Sequence, residues 1–307
     1  MEPDTLKKLQ EHIQNIKATN QEEISTRLVI FPDVSESSDL TCSFYLIQST
    51  AQETREKELA EFLVDKIVRY VLKRDEISSA GDNPDLHSRI ARIARAKFIR
   101  DRPTREAGEL LLFLLLESRG IVQLLSKMAL KTNPEMYYHG VDAVHIEVAG
   151  SVLFHFGSSK MKKDFGDAVK ESLSDMEEHA KSIKRQDTEI NLLSSHIDDS
   201  KFRPFTEFIR SVVDPYSPNR EYYSEAFSIL VCSDFAFLKR PYEKPAEETL
   251  GHFLSERFQK EQFAILSTIT RSFAACPSVN CKPTHFYIVP FADVGEFCEL
   301  FSEVLKG

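Results

Sequence analysis

Asp142, Ser158 and Lys160 are the side chains whose types and spacing come nearest to a reaction centre. In Gly140-Val141-Asp142-Ala143-Val144-His145-Ile146-Glu147 the two-residue period of a strand sets Asp142 on one face with Val144 and Ile146, and His145 and Glu147 on the other. In the run that follows, Val152, Phe154, Phe156, Ser158 and Lys160 share a face, so Ser158 and Lys160 emerge after three apolar positions and an acid and a lysine converge. The plainer alternative is that Asp142 ends a turn and Lys160 is solvated at a strand terminus. A second chemistry-bearing stretch lies upstream, where Arg89, Arg92, Arg95, Lys97, Arg100, Arg102 and Arg105 face a single acid, Asp101. Such a stripe attracts nucleic-acid phosphates, or is a solvated face that pairs with acidic segments of a partner. Lys162 and Lys163 can add phosphate contacts beside Lys160, or simply be solvated.

Other chemistries find little support. No GxxxxGK[ST] loop is present, and His139 and His145 lack the i, i+4 spacing of a zinc protease. The five cysteines are odd in number and have no zinc-knuckle spacing, so neither disulfides nor structural zinc are expected. The chain has 307 residues, 42% apolar and 28% charged, with a net charge of −9. That balance excludes a generally basic coat for nucleic acid and confines any polyanion contact to local patches. The longest apolar run, Leu110 to Leu116, is far short of the roughly 20 residues of a membrane span. The first residues carry no secretory signal pattern, so a cytoplasmic location and no membrane partner are expected.

The elements that must position these residues alternate between helix and strand. Leu6, Leu9, Ile13 and Ile16 recur at helical spacing, and Thr26 to Phe31 and Cys42 to Gln48 read as strands. Helices are expected over Gln52 to Lys73, over Leu86 to Arg100, and from Thr104 through the buried run Leu110 to Leu116. Ser78 to Pro84 is the clearest linker, dividing an N-terminal lobe, 1–80, from a second domain, 81–307. After a break at Asn133-Pro134, strands Val141 to Val148 and Val152 to Ser158 form a hairpin turned at Ala149-Gly150-Ser151. An amphipathic helix starts at Phe165; strand Phe227 to Cys232, helix His252 to Phe273, strand Phe286 to Pro290 and helix Val294 to Leu305 complete an α/β chain.

A helix bearing Glu109, a strand with Asp142, and a paired strand ending Gly157-Ser158-Ser159-Lys160 together resemble the core of the PD-(D/E)xK nuclease superfamily. The resemblance extends to Gly108-Glu109-Leu110-Leu111-Leu112-Phe113-Leu114-Leu115-Leu116-Glu117, His139 to His145, Phe156 to Met161 and His285 to Pro290, which look like the HamA family of Hachiman antiphage systems and its relative AbpA. It implies a restriction-endonuclease-like mixed sheet flanked by helices, with an N-terminal extension. It also implies a DNA-cleaving effector, dependent on Mg2+ or Mn2+, that works with a superfamily 2 helicase of the HamB type.

Carried over residue by residue, the resemblance makes Glu109 the helix acid assisting the metal, Asp142 the principal ligand and Lys160 the catalytic lysine. Mg2+ takes oxygen ligands, chiefly carboxylates and waters, and a nearby ammonium orients the attacking water and offsets phosphate charge. Ser158 departs from the pattern, which calls for Glu there; a neutral hydroxyl is the poorer ligand. Three explanations follow: a naturally inactive fold, a disabled form of an active nuclease, or an acid supplied from elsewhere. Glu147 is on the opposite face by strand parity and Asp164 begins the next helix, so neither substitutes readily. The same fold without chemistry would be a module that binds DNA or the helicase.

Overall fold

The computed structural model describes residues 3–16, 20–51, 53–98, 103–125, 142–182, 195–239 and 249–307. Its strands are β1 (Leu28–Ile30), β2 (Val34–Ser37), β3 (Leu40–Ile47), β4 (Val122–Leu125), β5 (Ala143–Val148), β6 (Val152–Lys162), β7 (Tyr223–Asp234) and β8 (Thr284–Phe291). They form one sheet in the order β1-β3-β8-β7-β6-β5-β4, with β2 also paired to β3. The pairs β3/β8, β8/β7 and β7/β6 are parallel, whereas β6/β5, β5/β4 and the contacts of β1 and β2 with β3 are antiparallel. The parallel centre is covered on both faces, which is why β7 and β8 read as nearly continuous apolar runs.

The helices are α1 (Pro3–Ile16), α2 (Asn20–Ser25), α3 (Glu56–Val71), α4 (Arg74–Ser78), α5 (Pro84–Ala96), α6 (Pro103–Ser118), α7 (Phe165–Lys181), α8 (Asp199–Phe202), α9 (Thr206–Val213), α10 (Leu250–Ala274) and α11 (Val294–Lys306). One core lies between the sheet and α1, α7, α9 and α10, through Leu9, Leu173, Ile209 and Phe258. The other lies between the opposite face and α3, α6 and α11, through Leu63, Leu114 and Phe301. Because α6 packs against β6, α2, α3 and α11, every residue of Leu110 to Leu116 is buried, as so apolar a helix requires. Helix α6 stops where Gly120 takes a positive φ of 81° and Ile121 N–H reaches back to the Leu116 carbonyl at 3.0 Å.

The expected boundary at 80/81 falls in the turn between α4 and α5, and the strands before it are built into the same sheet as those after it. Two short strands, β2 and β4, add to the expected elements, and β6 runs on to Lys162 rather than ending at Ser158. The expected break at Asn133-Pro134 and the strand start at Val141 lie outside the described residues.

The edge formed by β1 and β2 is interrupted at 31–33, and the interruption aims Asp33 at the C-terminal end of α6. Arg119 there donates to Asp33 through Nη2 (2.6 Å) and to Ser43 Oγ through Nη1 (3.2 Å), and Ser43 Oγ lies 2.7 Å from His285 Nε2. Burial, reinforced by the Arg119 charge, pushes the His285 imidazole down to about 3. A histidine held neutral by the fold stabilises it fully above the unfolded value near 6.5, and that stability is lost as pH falls towards the folded value. Urea midpoints measured from pH 7 to pH 4.5 should therefore fall less steeply for His285→Gln than for the unmodified chain, by up to ~1.4 kcal/mol per pH unit. Equal slopes would contradict this account.

Candidate active site

The β5/β6 hairpin turns at Gly150, whose φ of 79° suits glycine, and is zipped from Val148↔Val152 to Ala143↔Gly157. Beyond that last pair the ladder slips: Asp142 N–H donates to the Gly157 carbonyl at 2.7 Å. Asp142 thereby leaves the pleat, and its carboxylate accepts from the Ser159 amide (2.8 Å) and the Ser159 hydroxyl (3.4 Å). It is buried, with 8% of its surface exposed.

Helix α6 supplies the second carboxylate. Gly108 lets the helix press onto β6, since a Cβ there would stand 3.0 Å from Met161 Cγ and 3.2 Å from Ser159 Oγ. The next residue, Glu109, is buried and accepts a hydrogen bond from the Tyr70 hydroxyl at 3.2 Å. Burial, and then the charges of Glu109 and Asp142, raise the Tyr70 phenol well above its ordinary value. Tyr70 is thus the donor to Glu109, fixed by ring contacts with Phe98 and Phe113. Tyr70 lies within the helix expected over Gln52 to Lys73, but its hydroxyl pairing depends on the approach of α3 to α6, which no local pattern encodes.

Lys160 is directed elsewhere. Its ammonium pairs with Asp175 (2.6 Å) and Glu171 (3.0 Å) of α7, while Ser159 and Met161 face α6 across the strand. Burial alone would lower its titration; the hydrogen bonds and charges of Asp175 and Glu171 outweigh that and hold it above the ordinary lysine range. The convergence of Asp142 with Lys160 that strand parity predicted is therefore replaced by two arrangements. The acids gather on the α6 side, and the lysine lies against α7, because Asp142 sits past the end of the regular ladder. Ser158, buried at 2% exposure, shares the parity of Lys160. Lys162 also pairs with Glu171, and Lys163 is exposed.

The basic stretch forms α5, capped by Asn83, whose side chain accepts from the Asp85 and Leu86 amides. Arg89 and Arg92 are exposed, Arg95 and Lys97 are half-buried, and Arg100 lies outside the described residues. His155, on the opposite face from Lys160, is buried between Ser228 Oγ (3.1 Å) and Glu147 Oε2 (3.3 Å).

A mixed sheet flanked by helices, with two buried acids at the open end of its hairpin, is the architecture of an α/β nuclease-like fold. The HamA family model matches residues 5–305, and the chain belongs to the HamA family; it is a component of a Hachiman-type antiviral defence system. No curated protein matches it. Among the described residues no helix is long and apolar enough to cross a membrane.

Gly108→Val should destabilise the chain by about 1–3 kcal/mol, because the added methyls overpack the contact between α6 and β6. Urea denaturation checks this; an unchanged midpoint would mean that the helix is not pressed onto the strand there.

Proposed function

We propose that this chain is a DNA-cleaving effector that uses Mg2+ or Mn2+ and acts under the control of a superfamily 2 helicase of the HamB type, with Ser158 limiting its chemistry. The observation that carries the reading is that two buried carboxylates, Glu109 bonded to the Tyr70 hydroxyl and Asp142 bonded to the Ser159 amide, lie on the α6 side of β6 near its end. Two carboxylates suit Mg2+, which is commonly held by one or two of them together with waters and substrate phosphates. Among the described residues no three His, Cys, Asp or Glu side chains surround a common metal position, and the residue that the family pattern makes a third acid is Ser158 here, on the face of β6 that Lys160 shares.

A metal bound there supplies positive charge to the scissile phosphate. Glu109 and Asp142 would hold it, with Glu109 fixed by Tyr70, and Lys160 would orient the attacking water only by exchanging its Glu171 and Asp175 partners. Arg89 and Arg92, exposed on α5, would meet the DNA backbone, with Arg95, Lys97 and Lys163 in support and Arg100 assigned by sequence alone. Lys162 can contribute only by exchanging Glu171 for a phosphate.

The alternative is a non-catalytic module that binds DNA or the helicase, and it is favoured by Ser158 and by the engagement of Lys160 with α7. Plasmid nicking with Mg2+ or Mn2+ and with chelator, with and without the helicase, separates the two. Ser158→Glu should nick at least about tenfold faster than the unmodified chain, equivalent to ~1.4 kcal/mol of transition-state stabilisation. The gain should vanish with chelator and in Asp142→Ala or Lys160→Ala backgrounds. Salt-sensitive DNA binding without cleavage by any variant, with the helicase present, would establish the binding module instead.

A further inference from the structure

Strand β6 ends on two lysines, Lys160 and Lys162, whose two-residue spacing sets both on the face that α7 covers. Helix α7 presents two acids to them, Glu171 and Asp175, one turn apart on one face. Lys160 donates to Glu171 Oε1 (3.0 Å) and to Asp175 Oδ2 (2.6 Å), and Lys162 donates to the other Glu171 oxygen, Oε2. The Lys160 side chain is 18% exposed, against 42% for Glu171 and 46% for Asp175, so the acids form the layer between this lysine and solvent.

Two features set this contact apart from an ordinary tie between a helix and a strand. Acids at i, i+4 repel one another along a helix, so Glu171 and Asp175 are held together by the ammonium that they share. Glu171 also sets one oxygen on each of two ammoniums, the same two-point contact that the non-bridging oxygens of a phosphodiester make. Ion pairs between groups this exposed add little stability and are screened by salt. A polyanion, by contrast, gains from releasing its own counterions when it meets lysines. Exchange of carboxylate for phosphate is therefore open to this pair without unfolding either element.

We propose that Glu171 and Asp175 are an autoinhibitory latch: they occupy the place on Lys160 and Lys162 that a DNA backbone phosphate takes, and a phosphate that displaces them opens it. Closed, the cluster is neutral, two lysines against two acids, and does not attract DNA. Opened, it presents two ammoniums at the end of β6, next to the residue whose amide binds Asp142. The inference rests on the nuclease reading for what Lys160 does once released; the latch itself acts on DNA binding.

The test is anisotropy of a short fluorescein-labelled duplex in chelator, which silences any metal chemistry, as a function of salt. The full chain is compared with Glu171→Gln/Asp175→Asn and with Glu299→Gln/Glu303→Gln. The second pair consists of exposed acids at the same spacing on α11, across the sheet, and removes the same charge. The α7 variant should bind about tenfold more tightly than the α11 variant, and its log K should fall more steeply with log salt, by about 1.8 for two added phosphate contacts. Asp175→Asn alone, which leaves Glu171 bridging both lysines, should gain less, so the result does not hang on the double variant folding. Adding Lys160→Gln/Lys162→Gln should abolish the gain. Equal gains from the two acid pairs, a gain that survives loss of the lysines, or no binding by any variant overturns the latch. Nicking with Mg2+ in the Ser158→Glu background tests the nuclease reading separately. Nicking without the extra gain in binding would leave that reading and remove the latch; the gain without nicking would leave a latch on DNA binding and remove the reading.

Discussion

The approach of α6 to β6 at Gly108 is the contact on which the rest of the site depends. A helix pressed onto a strand at van der Waals distance cannot carry a side chain at the point of closest approach, and here a Cβ would meet Met161 and Ser159 at once. The seven apolar residues after Glu109 hold the helix there, because they are buried all round between the sheet and α2, α3 and α11. Burial on the order of 1.5–3 kcal/mol for each such side chain is offset by chain entropy over the whole fold, but its local effect is to fix the helix axis. Glu109 inherits that fixed position, and its buried carboxylate accepts from the Tyr70 hydroxyl.

The same sheet gives its two ends different work. At the open end of the β5/β6 hairpin the ladder slips by one residue, which turns Asp142 out of the pleat and onto the Ser159 amide. Further towards the other edge, Asp33, Arg119, Ser43 and His285 join the interrupted edge strand to the end of α6. That link is polar and partly exposed, so its role is to fix register and angle rather than to add much stability. One helix, α6, therefore carries a catalytic candidate in its second turn and, just past its last turn, an anchor to the N-terminal strands.

Much of this architecture was legible in the sequence, for identifiable reasons. The run Leu110 to Leu116 can only be a buried helix, and the alternation around Ala149-Gly150-Ser151 can only close as a hairpin, since one turn of glycine lies between two apolar-periodic strands. The short edge strand β4 escaped because four buried residues show no alternation, and β2 because its residues are half-buried or exposed. Strand parity located Ser158 and Lys160 on a common face but failed for Asp142, because parity holds only while the ladder is regular. Tyr70 and the pairing of Lys160 with Glu171 and Asp175 arise between elements far apart in the chain, so no spacing rule reaches them.

The central claim is that Glu109 and Asp142 are two walls of one cation site. Its most direct test is anomalous diffraction from crystals of the chain soaked in Mn2+, collected at the manganese edge. The account predicts a peak within coordination distance, about 2.0–2.3 Å, of both carboxylates, with Tyr70 still bonded to Glu109. A peak ligated by neither acid, or no peak at millimolar Mn2+ with both carboxylates well ordered, would contradict it.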